Sequence, residues 1–326
     1  MNYPLISVIT VSYNAVLTIE QTILSVINQT YLNIEYIIID GGSTDGTVNV
    51  IKKYADKIAY WVSESDKGIY DAMNKGIAYS HGEYCNFINA GDKFCSSSIL
   101  KQVMDFNHVA DIIVGQDLHV NEHNKIVSRS VLPRRYNLLH FYITTIPHQS
   151  CFIRASLLKK YYYDTSLKIV SDWKFYLQSI VLGGHSVAAY NNVIVICNPR
   201  GASSDNNRIK EEREKVLKKT LSPLRNVYDY IIIDCPPSLA LLTVNALTLA
   251  DSILIPIQGE FYALEGLSQL MNTIKLAKRH LNQSLSVEGV VLTMYDSRSR
   301  LVQNVTDEIA KFFGNKVFAT KIPRNV

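Results

Sequence analysis

Between Leu5 and Asp92 four short apolar runs recur, and each one ends in a cluster of polar and acidic residues. Leu5–Ser12 gives way to Tyr13-Asn14, and Ile34–Ile39 to Asp40-Gly-Gly-Ser-Thr-Asp-Gly. Ile58–Val62 gives way to Ser63–Lys67, and Tyr84–Ile88 to Asn89-Ala-Gly-Asp92. Runs this short and β-branched, without polar alternation, are those of strands covered on both faces. The intervening segments have helical spacing. Thr18–Gln29 carries Ile19, Ile23, Val26 and Ile27, with Thr18 in the N-cap place. Val48–Tyr54 and Ile69–Ser80 read as two further helices. Strand alternating with helix specifies a doubly wound α/β sheet. Ligands of such sheets bind beyond the carboxyl ends of the strands, where these polar clusters fall.

The signal thins after Asp92. Strands are expected at Ile112–Val114 and Ser150–Ile153, a loop-rich stretch at His119–Arg135, a turn at Leu157–Lys160 and a helix at Asp172–Leu182. The character changes near residue 220. A charged helix, Asn206–Lys219, is followed by Tyr228-Asp-Tyr-Ile-Ile-Ile-Asp-Cys-Pro-Pro, read as a new buried strand with an acidic end. Leu264, Leu267, Leu270, Met271, Ile274, Ala277 and Leu281 mark a long amphipathic helix, and Val287–Thr293 and Val317–Ile322 two more strands. The 326 residues suffice for two domains.

No apolar run reaches the length of about 18 residues that a spanning helix needs. The N-terminus lacks the basic, apolar and small-residue zones of a signal peptide. The cysteines (Cys85, Cys95, Cys151, Cys197, Cys235) are odd in number and scattered, and are expected as reduced thiols rather than disulfides or a zinc site. The net charge of +4 does not call for nucleic acid, and it suits work beside an anionic membrane surface. The expectation is a cytoplasmic chain, with peripheral contact at the inner membrane face and no nucleic-acid partner.

An enzyme that transfers a glycosyl group must hold a nucleotide, neutralise the departing diphosphate and activate an acceptor hydroxyl. A hard divalent cation on carboxylate oxygens meets the second need, and a carboxylate acting as general base the third. Six stretches in order carry a resemblance: Ile6-Ser-Val-Ile-Thr-Val-Ser-Tyr-Asn14, Ile37–Gly46, Ser65–Gly76, Gly82-Glu-Tyr with Asn89-Ala-Gly-Asp92, His148-Gln-Ser150 and Ser171-Asp-Trp173. Residues 4–215 resemble the family 2 glycosyltransferases of bacterial surface-polysaccharide synthesis, with a GT-A, Rossmann-like fold. The resemblance implies that Tyr13, Asn14 and Asp40 line the nucleotide pocket and that Asp66 and Lys67 lie near the donor. It implies that Asp92 is the ligand of Mn²⁺ or Mg²⁺, that His148 lies near the acceptor or leaving diphosphate, and that Asp172 is the base of an inverting transfer. The implied partners are a nucleotide-sugar donor and a saccharide or lipid-linked acceptor.

Two positions depart from the common pattern. Gly41 stands where a second acid follows Asp40, and Gly91 where an acid precedes Asp92. Structural roles also stand open: Asp40 as the cap of the following turn, Asp172 as helix N-cap as well as base, His148 as a structural histidine.

Residues 220–326 resemble a different family, the ParA/Soj-type partitioning ATPases. The matching stretches are Tyr228–Ser238, Leu242–Leu247, Ile255–Gly266, Gly289–Asp296 and Ile322–Asn325. They cover only the later half of that family's domain. No Gly-Lys dipeptide occurs in the 326 residues, so the phosphate cradle and its lysine are missing. Asp234 and Pro323-Arg-Asn325 would have served magnesium and adenine in the intact family. The expected organisation is a glycosyltransferase domain, 1–218, followed by an incomplete P-loop-NTPase-like α/β fragment, 219–326, whose strands keep an unpaired edge. The alternatives are a ParA-family partitioning protein and a non-catalytic interaction protein.

Overall fold

The computed structural model describes residues 3–106, 109–121, 125–133, 136, 141, 145–198, 206–221, 226–235, 241–260 and 263–324. The chain divides into two compact units, Met1–Arg213 and Glu214–Val326.

The first unit begins with four parallel strands, β1 (Ile6–Ser12), β2 (Ile34–Asp40), β3 (Tyr60–Ser63) and β4 (Tyr84–Phe87), paired in the order β3-β2-β1-β4. Every residue of β1 is buried, as an uninterrupted apolar run in a central strand requires. One face of the sheet packs Ile6, Val8 and Ile38 with Ile19, Ile23 and Val26 of helix α1 (Ile19–Ile27). Helix α3 (Ile69–Tyr79) also packs on β1 and β2. There Gly76 lets the helix approach, because a Cβ at that position would lie 2.4 Å from Ile9 Cγ2. Helix α2 (Thr47–Lys53) follows β2.

Register positions the strand ends. Ser12 pairs with Asp40, and Asp40 with Ser63, so three polar residues from three strands lie in one row at the carboxyl edge. Beyond β4 the sheet continues through β8 (Cys151–Arg154), β6 (Ile112–Val120) and β9 (Val187–Cys197) to the two-residue β5 (Lys93–Phe94). Strand β7 (Ile126–Arg129) pairs with β6. Helices α4 (Ile99–Phe106), α5 (Ala155–Tyr161) and α6 (Ser171–Tyr176) complete the unit, and α7 (Asn206–Leu221) runs from it across the division at Arg213.

Several elements differ from expectation. His119 and Val120 extend β6 rather than opening a loop, and β7 lies within the stretch expected as loop. Leu157–Lys160 belongs to a helix rather than a turn. The helix begun at Ser171 changes to a π-helical turn over Leu177–Leu182. Thr18 precedes α1 but makes no side-chain cap; its hydroxyl lies 3.4 Å from the Ala15 carbonyl.

The second unit has three parallel strands, β10 (Ser252–Gln258), β11 (Ser286–Tyr295) and β12 (Val317–Pro323), in that order. Helices α8 (Leu241–Leu249), α9 (Ala263–His280) and α10 (Arg300–Phe313) accompany them. Their core joins Ile255, Ile257, Val290 and Leu292 of the sheet to Ile274 and Ile309 of the helices. The expected strand over Tyr228–Asp234 is not formed. Among the described residues β10 pairs only with β11, so this run has no ladder partner, and Tyr230 and Ile232 are 87% and 91% exposed. Among the described residues no helix is long and apolar enough to cross a membrane.

Candidate active site

Asp40 ends β2 fully buried, and its two oxygens accept four hydrogen bonds. Oδ1 receives the hydroxyls of Ser12 (2.8 Å) and Ser43 (2.6 Å); Oδ2 receives the Ser43 amide (2.8 Å) and the Ser63 hydroxyl (2.6 Å). Burial raises the carboxyl pKa, but these donors outweigh it, and the group is held below its ordinary value. A carboxylate has about four lone-pair sites, and here all four have donors. Asp40 therefore ties the ends of β1, β2 and β3 together.

The loops after β1 and β2 are stitched side by side. Asn14, at φ +47°, donates its amide to Ser43 Oγ (2.8 Å) and accepts the Thr44 amide on its side chain (3.0 Å). The Ala15 amide reaches Thr47 Oγ1 (2.8 Å), and the Val16 amide reaches Asp45 (3.0 Å). Tyr13 stands at this edge with 67% of its surface open, a ring free to stack on a planar base.

The first departure from the family pattern now has a geometric reason. A Cβ on Gly41 would lie 2.6 Å from Asp66 Oδ2 and 3.4 Å from the Tyr13 ring. Asp66 brings its carboxylate to the place beside Asp40 where a second acid would project. Its other oxygen accepts the Gly68 amide (2.8 Å), at the start of α3. Lys67 is exposed; its amide donates to Asp71 (3.1 Å), and its carbonyl receives the Lys168 ammonium (3.0 Å). Tyr13, Asn14, Asp40 and Asp66 thus gather at the ends of β1 and β2.

A second group lies beyond β4. Asp92 is buried, at 6% exposure, and accepts the Asn198 amide on Oδ1 (2.9 Å). Burial raises its pKa to about 6, against the lowering effects of the Asn198 amide and of His148. The second departure, Gly91, sits at φ +109°, where a side chain is strained. Its amide donates to Thr22 Oγ1 (2.9 Å), and its carbonyl receives Gln21 (2.9 Å).

His148 lies near enough to Asp92 to act on its charge and hydrogen-bonds the next acid, Asp172. The Asn89 amide lies 3.1 Å from Nε2, so Nε2 accepts and Nδ1 carries the proton shared with Asp172 Oδ2 at 3.0 Å. Asp172 occupies the second position of α6, with Oδ1 accepting the Trp173 amide (2.8 Å). The Tyr70 hydroxyl lies 3.1 Å from Asp172 Oδ1 and 2.5 Å from the Ile169 carbonyl. Its single proton goes to the nearer acceptor. Burial, and then the negative charge of Asp172, push the Tyr70 pKa up, so the phenol stays protonated. The chain Asn89–His148–Asp172 fixes one carboxylate edge.

Asn89 falls inside a matched motif without a role of its own, and nothing in the sequence singles out Tyr70 or Asn198. Their partners lie from tens of residues to a hundred away along the chain. Cys197 likewise lies far along the chain from Asp117 and His119, which are near neighbours on β6. The ligand-bearing atoms of these three lie within 4.8 Å of one another, with His119 Nε2 2.9 Å from Asp117 Oδ2. Of the expected nucleotide residues in the second unit, Asp234 is exposed on the unpaired run. Arg324 donates its amide to the Tyr295 carbonyl (3.4 Å), and Asn325 lies outside the described residues.

Residues 7–165 match the sequence model of glycosyl transferase family 2. The first unit is a family 2 glycosyltransferase domain. Residues 181–287 match a model described as an AAA domain, a match that begins before the division at Arg213. Among curated proteins, the sporulation initiation inhibitor protein Soj of Bacillus subtilis is 59% identical over 114 residues, covering 35% of this chain and 45% of that one. The chromosome partitioning protein ParA of Myxococcus xanthus is 56% identical over 117 residues, 36% of this chain and 41% of its own. The chain spans less than half the length of these relatives. Among solved structures, S. aureus TarS in complex with UDP superposes with a TM-score of 0.55 at 19% identity, covering 76% of this chain and 70% of that one. A mannosyltransferase from Pyrobaculum calidifontis, PcManGT in complex with GDP-Man and Mn²⁺, gives 0.50 at 15% identity, covering 97% and 83%. At these identities the likeness is one of fold. The chain joins a glycosyltransferase domain of GT-A type to a ParA/Soj-type fragment that lacks the P-loop.

Proposed function

We propose that residues 1–218 form an inverting, metal-dependent glycosyltransferase that moves a sugar from a nucleotide-sugar donor to an acceptor hydroxyl, in the assembly of a bacterial surface polysaccharide. The observation that carries this reading is the Asn89–His148–Asp172 chain beside the buried Asp92 carboxylate, at the carboxyl side of the parallel strands.

Asp172 is the base. His148 donates to one oxygen and the Trp173 amide to the other, which orients the carboxylate toward an incoming hydroxyl proton. Tyr13 and Asp66 meet the nucleotide, with Asn14 and Asp40 shaping the loops that hold it, and Lys67 offers its exposed ammonium near the donor phosphates. Asp92 fits a Mn²⁺ or Mg²⁺ site. It is a buried carboxylate with no ion pair to Lys or Arg among the described residues, and such an oxygen lacks the cation that would repay its burial. When bound, the ion neutralises charge on the departing diphosphate. The second unit, without a phosphate loop, does not hydrolyse ATP on its own.

The test is a thermal-shift panel with UDP, GDP, dTDP, ADP and ATP, each with Mn²⁺ and with EDTA. Stabilisation by a non-adenine diphosphate that disappears with EDTA supports the reading. Stabilisation by ATP alone, or by none of them, overturns it. In the same protein Asp172→Asn should stop transfer while leaving nucleotide affinity intact, whereas Asp92→Ala should weaken the metal-dependent affinity as well.

A further inference from the structure

Asp172 sits in the first turn of a short helical segment, Ser171–Leu182, whose second half is π-helical and which follows residues with no regular structure. A helix of that length does not hold itself in water. The base must therefore be located by contacts from elsewhere: those of His148 and Tyr70 described above, and a further set from α7. Glu212 accepts three successive backbone amides on its carboxylate: Lys168 on Oε1 (2.9 Å), and Ile169 (3.0 Å) and Val170 (3.2 Å) on Oε2. Three amides converging on one point form an anion-binding concavity, and here the anion is supplied by the chain itself. Arg208, one turn earlier on α7, lies 3.3 Å from Glu212 Oε1 and orients it. Arg213, the next residue, places its guanidinium 5.2 Å from the centre of the Trp173 ring. Glu212 thus grips the backbone just before Asp172, and Arg213 covers the residue just after it.

We propose that Glu212 is a positioning residue for Asp172: it fixes the backbone from which the base projects, so that α7, the helix leading into the second unit, belongs to the catalytic machinery of the first. This rests on the reading of Asp172 as base. It gives a functional reason for α7 to keep its register up to Arg213, well past the end of the family 2 match at residue 165.

The test compares Glu212→Ala, Glu212→Gln, Glu211→Ala and Asp172→Asn in the full chain; Glu211 is the exposed neighbour on the same helix. Two quantities are read. One is hydrogen exchange of the peptide covering residues 167–175. The other is release of nucleoside diphosphate from whichever of UDP-GlcNAc and GDP-Man stabilises the chain, together with the affinity for that nucleotide. Glu212→Ala should speed exchange at 168–170 and lower the release rate by about 10- to 100-fold, the scale of a misplaced catalytic group, with affinity within about twofold. Glu212→Gln keeps one accepting oxygen and should recover part of both. Glu211→Ala should match wild type. If Glu212→Ala leaves exchange and release unchanged while Asp172→Asn stops release, the positioning role alone is wrong. Release that survives Asp172→Asn removes the base assignment and this proposal together. Should Glu212→Ala fail to fold, the glutamine variant decides by the same readouts, and wild-type release with wild-type exchange there overturns the proposal.

Discussion

Replacing Asp40 separates two roles that look alike in sequence. If its carboxylate meets the ribose, removing it should cost nucleotide affinity and little stability. The structure predicts the reverse, because all four lone-pair sites have protein donors. In Asp40→Asn the amide keeps one accepting oxygen, which serves the Ser43 amide and the Ser63 hydroxyl. The hydroxyls of Ser12 and Ser43 can rotate to accept from the new NH₂. What is lost is mainly the charge assistance, worth about 2–3 kcal/mol in total. In Asp40→Ala the serines at 43 and 63 are part-exposed and can turn to water. The Ser43 amide and the Ser12 hydroxyl, the latter at 7% exposure, lose their acceptor, which costs about 3–5 kcal/mol. The assay is urea unfolding followed by tryptophan fluorescence. Both tryptophans, Trp61 and Trp173, lie in the first unit, so the signal reports on that unit. With a slope of about 2–3 kcal/mol per molar urea, the midpoint should fall by about 1 M for the asparagine variant and further for alanine. An alanine variant with the wild-type midpoint and a large loss of nucleotide affinity would refute the reasoning and return Asp40 to a ligand-facing role.

Two other predictions concern the ends of the same strands. Gly91→Ala forces a side chain to φ +109° and brings its Cβ within 3.1 Å of Asn198 Nδ2. Thermal unfolding should show a loss of about 1–3 kcal/mol, with weaker metal-dependent nucleotide binding. Asp164 is raised by burial but lowered more by its bonds to Lys174 (2.6 Å) and Ser166, which leaves its pKa at about 2 against an ordinary 3.8. Because the folded value is the lower one, its stabilisation is complete above the unfolded pKa and is lost as pH falls from about 4 to about 2. Screening at this part-exposed pair reduces the effect to about 1 kcal/mol. The stability gap between wild type and Asp164→Asn should therefore be open at pH 6 and close near pH 2, as read by urea midpoints across that range.

The residues that sequence placed well are those whose meaning is local. Tyr13, Asn14, Asp40 and Asp92 end apolar runs, and a run of buried strand residues declares its own end. The helix over Ile69–Tyr79 and the long helix Ala263–His280 were legible from their apolar spacing. What escaped depends on neighbours far along the chain. Strand β9 interrupts its apolar residues with Tyr190-Asn191-Asn192, and it becomes a strand by pairing with β6 and with β5. Gly41 looked like a departure until the Asp66 carboxylate was found 2.6 Å from where its Cβ would be. The three amides held by Glu212 lie 42 to 44 residues earlier, a spacing that carries no periodic signal.

Tyr228–Asp234 shows the converse. Its composition is that of a buried strand, and nothing local argues against one. A strand, however, is completed by the strands beside it, and in the P-loop class that neighbour carries the phosphate loop absent from this sequence. Without a ladder partner the run stays unpaired and open. Full burial of an Ile or Tyr side chain stabilises by about 2–3 kcal/mol, so Tyr230 and Ile232, at 87% and 91% exposure, forgo most of that between them. The second unit keeps a core because β10, β11 and β12 still pair and still cover Val290 and Leu292 with Ile274 and Ile309. The half of the domain absent from this sequence would have supplied the strand that pairs with the Tyr228–Asp234 run, while the remaining apolar contacts suffice to order the rest.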